Sequence, residues 1–509
     1  MPTTLQELLA QIPGRNQAVA VPDGPELSFD EFRTVIQDVE QQLADLGLQP
    51  QDPVSVSLPN TLEFAATFLA ITNAGLIAAP LNPAYRQSEF EFYIEDIKSK
   101  LVLVPSGSLK SKYPAVEAAR KFNAAIAEVE WNGKRVILTV MEPAALKIGS
   151  GRSRLPPAKP EQTAFVLHTS GTTGRPKAVP LLHRNMIATV HNIIGTYFLT
   201  DNDASYLVMP LFHVHGLLAG FLAPLGAGSR VIIAPKFSAG VFWKDFVRYN
   251  ATWYTAVPTI HQILLRTPVP SPLPNIRFIR SCSSSLAPST FHELETTFKA
   301  PVLEAYAMTE ACHQMTSNSY PPDLRKPGTV GVGHGTEIAI LDDKGNVLAQ
   351  GKEGEISVKG ANVTPGYLNN PKANAESFTN GWFRTGDQGK FDEDGLLIIT
   401  GRIKELINRG GEKISPIELD GVLLSHPAVA EAVAFGAPDE KYGEQVNAVV
   451  VFKNGKKATE KELQSYVGEK VSSFKVPTRI FFTDIMPKTA TGKIQRRIIA
   501  QKFAKPAKL

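Results

Sequence analysis

The chain has 509 residues, more than one simple hydrophobic core can organise, so two or more domains are expected. Hydrophobic residues make up 43% and charged residues 20%, typical of a soluble globular protein, and a net charge of +4 gives no reason by itself to expect a nucleic-acid partner. Cys282 and Cys312 are the only cysteines, which excludes a disulfide framework or a cysteine-built zinc site and fits a reducing compartment.

The first 160 residues alternate helical patterns with short apolar runs. Ser28, followed three residues later by Glu31, forms a capping box that predicts a helix running to about residue 46. The next apolar segments predict strands and one buried helix, at 54–58, 61–73, 77–81 and 101–104. Strands separated by helices favour a parallel α/β sheet. No membrane span is expected, because polar residues and a glycine interrupt the most apolar stretch, 64–81.

A Pro- and Lys-rich linker, 149–159, precedes an apolar run and the sequence TSGTTGRPK at 169–177. Glycines and small hydroxylated residues let backbone N–H groups turn around an anion, and Lys177 supplies a fixed positive charge. This predicts a site for nucleotide phosphates. It is not a Walker A loop, because that pattern has Ser or Thr after the lysine, where this chain has Ala178. The residues predicted to bind phosphate are Thr169, Ser170, Gly171, Thr172, Thr173, Gly174 and Lys177.

This loop resembles the phosphate-binding signature of the adenylate-forming superfamily, which contains acyl-CoA synthetases, luciferases and peptide-synthetase adenylation domains. It departs from the family in having Ala178 where glycine is usual. The resemblance implies an α/β fold with two domains. A large N-terminal domain of mixed sheets, flanking helices and a β-subdomain would span 1–402, and a small mobile α+β domain would span 403–509, with a hinge at Lys404.

The strand predicted at 205–209 leads into His213 and His215. Two histidines could bind a metal, but no carboxylate or thiol stands beside them, and both imidazoles could equally be hydrogen-bonded in the core. In the superfamily an aromatic–histidine motif at this place lines the acyl pocket and gates access to it. The resemblance therefore implies that His213 contacts the acid.

The strand predicted at 276–279 runs into a serine-rich turn, 280–288. Relatives have a Gly- and Ala-rich turn here that lies against the adenine and the acid, so hydroxyl groups make this part of the pocket polar. The resemblance implies that Ser283 contacts the acid and Ser284 the nucleotide.

The sequence EAYAMTE at 304–310 resembles the family's Tyr-Gly-x-Thr-Glu motif. A flat aromatic ring can stack on adenine, which gives Tyr306 its role. By the resemblance, Thr309 donates to the α-phosphate and Glu310 holds a magnesium ion that bridges phosphate oxygens. Glu304 and Ala305 are expected to line the nucleotide site as well. His313, three residues after the motif, is expected to point toward the acid.

Residues 326–402 are rich in glycine and alternating strands, which predicts a small β-subdomain. Within it, GWFRTGD resembles the motif whose aspartate, here Asp387, binds the ribose hydroxyls, and a carboxylate accepting from two vicinal hydroxyls is a good physical fit. The following GRIKE resembles the hinge motif of the family. Arg402 would bind ribose or phosphate, and Lys404 would be the pivot between the domains.

The resemblance also implies a coenzyme A site. Gly410 and Gly411 lie in a segment similar to the loop that meets the pantetheine arm. Lys236 would lie near the CoA entrance, although a solvated surface lysine is an equal alternative. Near the C-terminus, PKTATGK resembles the loop of the catalytic lysine, here Lys493.

These motifs together predict an AMP-forming acid–CoA ligase. The acid would attack the α-phosphorus of ATP and give an acyl-adenylate, and the CoA thiol would then displace AMP. ATP, magnesium and CoA are the implied cofactors and co-substrates. The residues expected to take part in the chemistry are His213, Thr309, Glu310 and Lys493.

Over most of its length the chain is similar to plant and fungal oxalate–CoA ligases, in stretches that include SCSSSLAP, EAYAMTEACH and PKTATGKIQRR. The resemblance implies oxalate as the acid. A medium-chain acyl-CoA or 4-coumarate-type ligase is the alternative and should show an apolar tunnel behind His213. A stand-alone carrier-loading adenylation protein is a further alternative, and nucleic-acid binding through the basic tail is the non-enzymatic one.

The last three residues, Ala507, Lys508 and Leu509, are a one-residue variant of the Ser-Lys-Leu peroxisomal address. They predict recognition by a peroxisomal import receptor, with a peroxisomal or cytoplasmic location for the protein. A chance match at a Lys- and Ala-rich end is the alternative.

Overall fold

The computed structural model describes residues 2–149, 154–169 and 175–504. The strands are β1 Gln17–Ala20, β2 Glu26–Ser28, β3 Pro53–Val56, β4 Ile77–Pro80, β5 Leu101–Pro105, β6 Ala125–Trp131, β7 Val136–Glu142, β8 Thr163–Thr169, β9 Lys177–Leu182, β10 Ala204–Leu207, β11 Arg230–Ile233, β12 Trp253–Ala256, β13 Phe278–Cys282, β14 Val302–Met308, β15 His313–Ser317, β16 Val332–Gly333, β17 Glu337–Leu341, β18 Gly354–Lys359, β19 Phe378–Thr379, β20 Trp382–Phe391, β21 Leu397–Arg402, β22 Ile407–Arg409, β23 Glu412–Ile414, β24 Val429–Asp439, β25 Gly443–Phe452 and β26 Arg479–Phe482.

The α-helices are α1 Leu5–Ala10, α2 Phe29–Asp45, α3 Leu62–Asn73, α4 Gln87–Ile97, α5 Pro114–Lys121, α6 His183–Tyr197, α7 Ala223–Gly226, α8 Ala239–Arg248, α9 Pro258–Leu265, α10 Pro288–Phe298, α11 Pro371–Ser377, α12 Pro416–Leu424, α13 Glu460–Gly468 and α14 Arg496–Phe503. A π-helix spans His215–Leu222, and 3₁₀-helices span Thr309–Ala311, Ile403–Glu405 and Ser473–Lys475.

Two large mixed sheets form most of the chain before Arg402. One has the strand order β7-β6-β5-β3-β4-β8-β9 and the other β16-β15-β14-β13-β12-β10-β11-β1-β2. The inner strands of both sheets are parallel, and antiparallel pairs close their ends. The predicted α/β class with mixed sheets and flanking helices is confirmed.

Two smaller sheets follow. The first, β17-β18-β20-β19 with β21 on β20, is the glycine-rich β-subdomain that the sequence predicts. The second, β23-β22-β25-β24 with β26 on β25, contains strands from the chain after Arg402 alone and is covered by helices α12, α13 and α14. The short 3₁₀-helix Ile403–Glu405 connects the two sheets.

Local sequence explains where the predicted helices begin. The capping box of α2 is present: the Glu31 carboxylate accepts from Ser28 N at 2.8 Å, and Ser28 Oγ accepts from Glu31 N at 3.4 Å. Thr61 caps α3 in the same way through Phe64 N. All of α3 except Glu63 is buried in the core, as expected for a buried apolar helix. Within the described part of the chain, no helix is long and apolar enough to cross a membrane.

The serine-rich turn differs from the prediction. The strand predicted at 276–279 begins two residues later and continues to Cys282, so Arg280 lies inside a strand and not in the turn. β13 pairs in parallel with strands on both sides, and this pairing holds a fully buried arginine in extended backbone. Hydrophobic periodicity gives no sign of this, because an arginine inside a strand normally marks an exposed position.

Candidate active site

Four neighbouring parallel strands of the nine-stranded sheet end at the same edge. These neighbours are β10, β12, β13 and β14, which lie side by side in the sheet. The chain that follows their carboxyl ends carries His213, Thr259, Ser283 and Thr309, respectively. Because the carboxyl ends of parallel strands meet at one edge, residues far apart in sequence converge here, where ligands of open α/β sheets usually bind.

The phosphate loop connects β8 to β9, with Thr169 paired opposite Lys177. One carboxylate holds both ends of the loop: Asp96 of α4 lies 3.0 Å from His168 Nε2 and 3.6 Å from Arg175 Nη2. The remaining residues predicted to bind phosphate lie outside the described residues, namely Ser170, Gly171, Thr172, Thr173 and Gly174. The described stems therefore fix where the loop begins and ends.

Tyr367 joins the lysine of this loop to the predicted metal ligand. The Lys177 ammonium lies 4.3 Å from the centroid of the Tyr367 ring, and the Tyr367 hydroxyl donates to Glu310 Oε1 at 2.8 Å. Glu310 is buried, and burial raises the pKa of its carboxyl group. A buried carboxylate whose charge lacks a full counter-ion fits Mg²⁺, which takes one or two protein carboxylates together with phosphate oxygens and water.

Tyr306, Asp387 and Arg402 form one hydrogen-bonded group on three strands. The Tyr306 hydroxyl donates to Asp387 Oδ2 at 2.5 Å, and Arg402 Nε donates to Asp387 Oδ1 at 2.9 Å. Burial and the Asp387 charge raise the pKa of Tyr306, so its hydroxyl remains a donor. The structure thus brings together the residues predicted for adenine, for the ribose hydroxyls and for ribose or phosphate.

Glu304 ties the serine-rich turn to β14. Its Oε1 accepts from Leu286 N at 2.9 Å, while Oε2 is buried without a hydrogen-bond partner among the described residues. Burial raises the pKa of Glu304 to about 8, so the carboxyl group is largely protonated at neutral pH. Ala305 is buried beside it, and Ser284 is exposed on the turn, where its hydroxyl donates to the Ser283 carbonyl at 2.8 Å.

His213 and His215 have defined hydrogen-bonding roles. His213 Nδ1 accepts from His215 N at 3.2 Å, which leaves the ring proton of a neutral His213 on Nε2. His215 Nε2 lies 2.6 Å from Thr255 Oγ1, and its Nδ1 lies 3.1 Å from Ser283 Oγ. Ser283, which the resemblance assigns to the acid, therefore also contacts His215. Among the described residues, neither histidine belongs to a group of three or more His, Cys, Asp or Glu side chains placed to share a metal ion.

His313 is stacked on His215, with ring centroids 5.4 Å apart. It is 1% exposed, and neither ring nitrogen has a hydrogen-bond partner among the described residues. Its φ of +98° and the φ of +77° at Ser283 are rare for residues with side chains. Strained backbone of this kind concentrates at functional sites, where it aims a side chain that relaxed geometry would direct elsewhere.

The predicted catalytic lysine reaches this site from the C-terminal part of the chain. The loop before α14 docks through Thr259, whose hydroxyl donates to the Gly492 carbonyl at 3.1 Å. Within the loop, Lys493 N donates to Thr489 Oγ1 at 3.1 Å. Burial lowers the pKa of Lys493. Burial and the Lys493 charge in turn lower the pKa of His213 to about 3, so this imidazole is neutral at physiological pH.

The residues predicted to contact CoA lie elsewhere on the surface. Gly410 and Gly411 are exposed in the turn of the β22–β23 hairpin, where φ values of +60° and +93° suit glycine. Lys236 is exposed after β11, and Lys404 is exposed in the 3₁₀-helix between the two small sheets. These four residues stand outside the hydrogen-bonded groups that surround Lys493 and Asp387.

Sequence reasoning missed several residues of this site. Tyr367, Thr255, Arg280 and Asp96 belong to no recognised motif, and each gains its role from a partner distant along the chain. His215 was visible as the second histidine after β10, but only its distances to Thr255 and Ser283 show what it does.

Comparisons with known proteins agree with this arrangement. A family model described as "AMP-binding enzyme" matches residues 8–368, and one described as "AMP-binding enzyme C-terminal domain" matches 418–493. The chain is 52% identical over 478 residues to an oxalate–CoA ligase of Saccharomyces cerevisiae, covering 90% of this chain and 88% of that protein. It is 49% identical over 508 residues to an oxalate–CoA ligase of Arabidopsis thaliana, covering 98% of each. The crystal structure of ATP-bound MatB from Rhodopseudomonas palustris superposes with a TM-score of 0.90 at 29% identity and 99% coverage of both chains. The chain belongs to the AMP-binding enzyme family.

Proposed function

We propose that this protein is an ATP-dependent ligase that joins oxalate to coenzyme A through an oxalyl-adenylate. The observation that carries the proposal is a cluster of polar side chains near His213: Ser283 lies within hydrogen-bond distance of His215, His313 stacks on His215, and the charge of Lys493 lowers the pKa of His213. The two relatives named oxalate–CoA ligase match the chain at about half identity over nearly its full length, which supports the same acid.

The first step transfers AMP to the acid. A carboxylate oxygen of oxalate attacks the α-phosphorus of ATP, and the bond to the β-phosphate oxygen breaks, so that pyrophosphate leaves with the electron pair. Tyr306, Asp387 and Arg402 hold the adenosine, and Glu304, Ala305 and Ser284 line it. The loop from Thr169 to Lys177 holds the departing pyrophosphate. Thr309 and Lys493 donate hydrogen bonds to the α-phosphate, where negative charge accumulates.

Magnesium held by Glu310 would neutralise phosphate charge that otherwise repels the incoming carboxylate. Tyr367 keeps the Glu310 carboxylate in place through its hydroxyl, and Lys177 lies against the same ring. The protein's own part in this step is therefore to hold the ammonium over the face of the Tyr367 ring and the carboxylate at its hydroxyl.

In the second step the CoA thiol attacks the acyl carbon, the acyl–phosphate bond breaks and AMP leaves, while the thiol proton is released to solvent. We assign Gly410, Gly411 and Lys236 to CoA and Lys404 to the hinge between domains at 1–402 and 403–509. The change of sheet on either side of Ile403–Glu405 supports this boundary. It also supports a C-terminal domain that turns as a unit between the two steps.

The choice of acid follows from the side chains around His213. A medium-chain or 4-coumarate-type ligase needs an apolar tunnel there, but His215, Thr255 and Arg280 occupy the space beyond Ser283 and His313. These side chains are polar and hydrogen-bonded to one another, so they offer an acyl chain no apolar lining at this place. A short acid with a second carboxylate fits a polar, positively charged surrounding better.

The proposal is tested by measuring pyrophosphate release and identifying the thioester product by mass over a panel of acids. We expect oxalate to outcompete octanoate and 4-coumarate and to yield oxalyl-CoA. A clear preference for octanoate would instead assign the chain to the medium-chain ligases.

We also propose import into peroxisomes through Ala507, Lys508 and Leu509, which lie outside the described residues. A fluorescent protein fused in front of this chain should enter peroxisomes, and a Leu509→Asp variant should stay in the cytoplasm. An unchanged distribution of the variant would remove this proposal without affecting the catalytic one.

A further inference from the structure

Arg280 is a completely buried cation beneath the acid pocket, with no anion to match it. Its exposed fraction is 0%, and its guanidinium contacts the Cys282 side chain and donates to three neutral oxygens. These contacts are Nε to the Tyr197 hydroxyl at 2.8 Å, Nη1 to Thr255 Oγ1 at 3.2 Å and Nη2 to Gln314 Oε1 at 3.1 Å. No carboxylate of the described residues forms an ion pair with it, whereas Arg277, Arg384 and Arg496 each have a carboxylate partner.

An unpaired charge inside a protein is strongly unfavourable, and removing it or supplying an anion relieves the cost. The chain keeps the arginine, so the missing anion comes from outside. Hydrogen bonds to neutral oxygens satisfy the guanidinium donors but leave its charge in place. Three hydrogen-bond contacts separate this buried positive charge from Ser283.

A defined series of hydrogen bonds connects Arg280 to the pocket. Thr255 Oγ1 accepts from Arg280, so the single proton of the Thr255 hydroxyl is available to His215 Nε2 at 2.6 Å. His215 then carries its own ring proton on Nδ1 and donates it to Ser283 Oγ at 3.1 Å. In this tautomer the Ser283 hydroxyl accepts from His215, which leaves its own proton for another acceptor.

The same charge keeps the neighbouring imidazoles neutral. Burial and the Arg280 charge lower the pKa of both His215 and His313, and Lys493 acts in the same direction. His313 adds two unpartnered ring nitrogens at the wall of the pocket. Neutral rings donate hydrogen bonds but carry no net charge, so the fixed charges of this pocket are those of Arg280 and Lys493.

The two carboxylates of oxalate have different roles in the proposed reaction. One must reach the α-phosphorus beside Lys493, and the other remains in the pocket as a second negative charge. We propose that Arg280 is a positioning residue that makes the pocket select an acid with a second ionised carboxylate, acting through Thr255, His215 and Ser283. The inference rests on the proposed function, because it concerns the same acid.

The test compares oxalate with oxamate, which has nearly the same shape but a neutral amide in place of the second carboxylate. Pyrophosphate release gives kcat/KM for both acids in the wild-type protein and in Arg280→Met. We expect the ratio of oxalate to oxamate to fall about tenfold in the variant, because the Arg280 charge attracts an ionised second carboxylate and not a neutral amide. Arg280→Lys should restore part of the preference.

Arg277→Met is the matched control. Arg277 begins the same segment and loses an ion pair with Asp203 at 3.0 Å, but its side chain faces Tyr197 and Phe198 and not the pocket. This variant should lose stability and keep the wild-type preference. A parallel fall of both acids in Arg280→Met, with the ratio unchanged, would overturn the inference and assign Arg280 to folding alone.

Thr255→Val decides the matter if Arg280→Met does not fold, because it keeps the arginine and removes the link to His215. We expect the oxalate preference to fall in this variant too, and an unchanged preference would overturn the inference. The proposed function fails separately, if the wild-type protein releases no pyrophosphate with oxalate at all.

Discussion

Tyr367 shows how one side chain can organise two charges. Its ring lies against the Lys177 ammonium and its hydroxyl donates to the Glu310 carboxylate, so two oppositely charged groups are held without a direct ion pair. A direct pair would neutralise both groups before ATP arrives. In the proposed function, this arrangement leaves the cation for phosphate oxygens and the anion for a metal.

Tyr367→Phe should raise the Mg²⁺ concentration needed for half-maximal activity by about threefold or more, because Glu310 loses the hydrogen bond that orients it. The aromatic ring against Lys177 is kept. The measurement is a Mg²⁺ titration of pyrophosphate release, with KM for oxalate followed in parallel. Tyr320→Phe, on the far side of Phe278, is the control. A changed KM for oxalate at unchanged Mg²⁺ dependence would contradict this role.

Lys493→Ala should lower adenylate formation by about 10²- to 10³-fold, since a preorganised cation at developing charge is worth that much. Thioester formation from a preformed acyl-adenylate should stay close to the wild-type rate. Lys488→Ala is the control for loss of a lysine from this loop. Lys488 pairs with Glu431 at 2.8 Å on the surface. Equal loss of both steps in Lys493→Ala would contradict the assignment.

At the scale of residues, sequence motifs led to Lys177, Tyr306, Glu310, Asp387 and Lys493 because each stands in a short run with a distinctive order. Residues that act through long-range partners left no such trace. Thr255 meets Arg280 and His215 across separate strands, and a threonine inside a strand looks like any β-branched residue until the pairing is known.

At the scale of elements, the loop carrying Lys493 is docked by a single side-chain hydrogen bond from the start of α9. Thr259 Oγ1 donates to the Gly492 carbonyl. Gly492 adopts φ +84°, and a Cβ on this residue would lie 3.1 Å from Thr259 Oγ1. Glycine thus permits both the turn and the close approach. The contact joins the C-terminal sheet's domain to the edge of the large sheet.

Thr259→Val should slow adenylation by about three- to tenfold, because the loop loses the bond that holds it at the site. Thioester formation from a preformed adenylate should change little. Thr267→Val on the end of the same helix, where the hydroxyl bonds only its own helix at Ile263, serves as the control. Single-turnover rates for the two steps provide the measurement, and equal slowing of both would argue against a docking role confined to adenylation.

Element bounds were predictable where local chemistry sets them. Ser28 and Glu31 fix the start of α2, and the apolar run fixes α3 as buried. The start of β13 was not predictable, because pairing with β12 and β14 decides which residues become extended. Strand order was not predictable either. β4 lies beside β8, with Ala78 opposite Phe165, and the sequence of neither strand indicates the other as its partner.

At the scale of the whole molecule, the proposed function requires four separate parts of the chain to meet at one nucleotide and one acid. The stems of the phosphate loop, the ends of the parallel strands, the β-subdomain and the lysine loop each contribute one face. The side chains that we assign to the acid are polar, and a series of hydrogen bonds connects Ser283 to the buried Arg280. This combination favours a short doubly charged acid over an acyl chain.

The most direct test of this claim is isotope exchange between labelled pyrophosphate and ATP in the presence of each candidate acid. With oxalate, we expect exchange well above background that depends on Lys493. Octanoate and 4-coumarate should support little exchange. Background exchange with oxalate, or strong exchange with octanoate instead, would contradict the account.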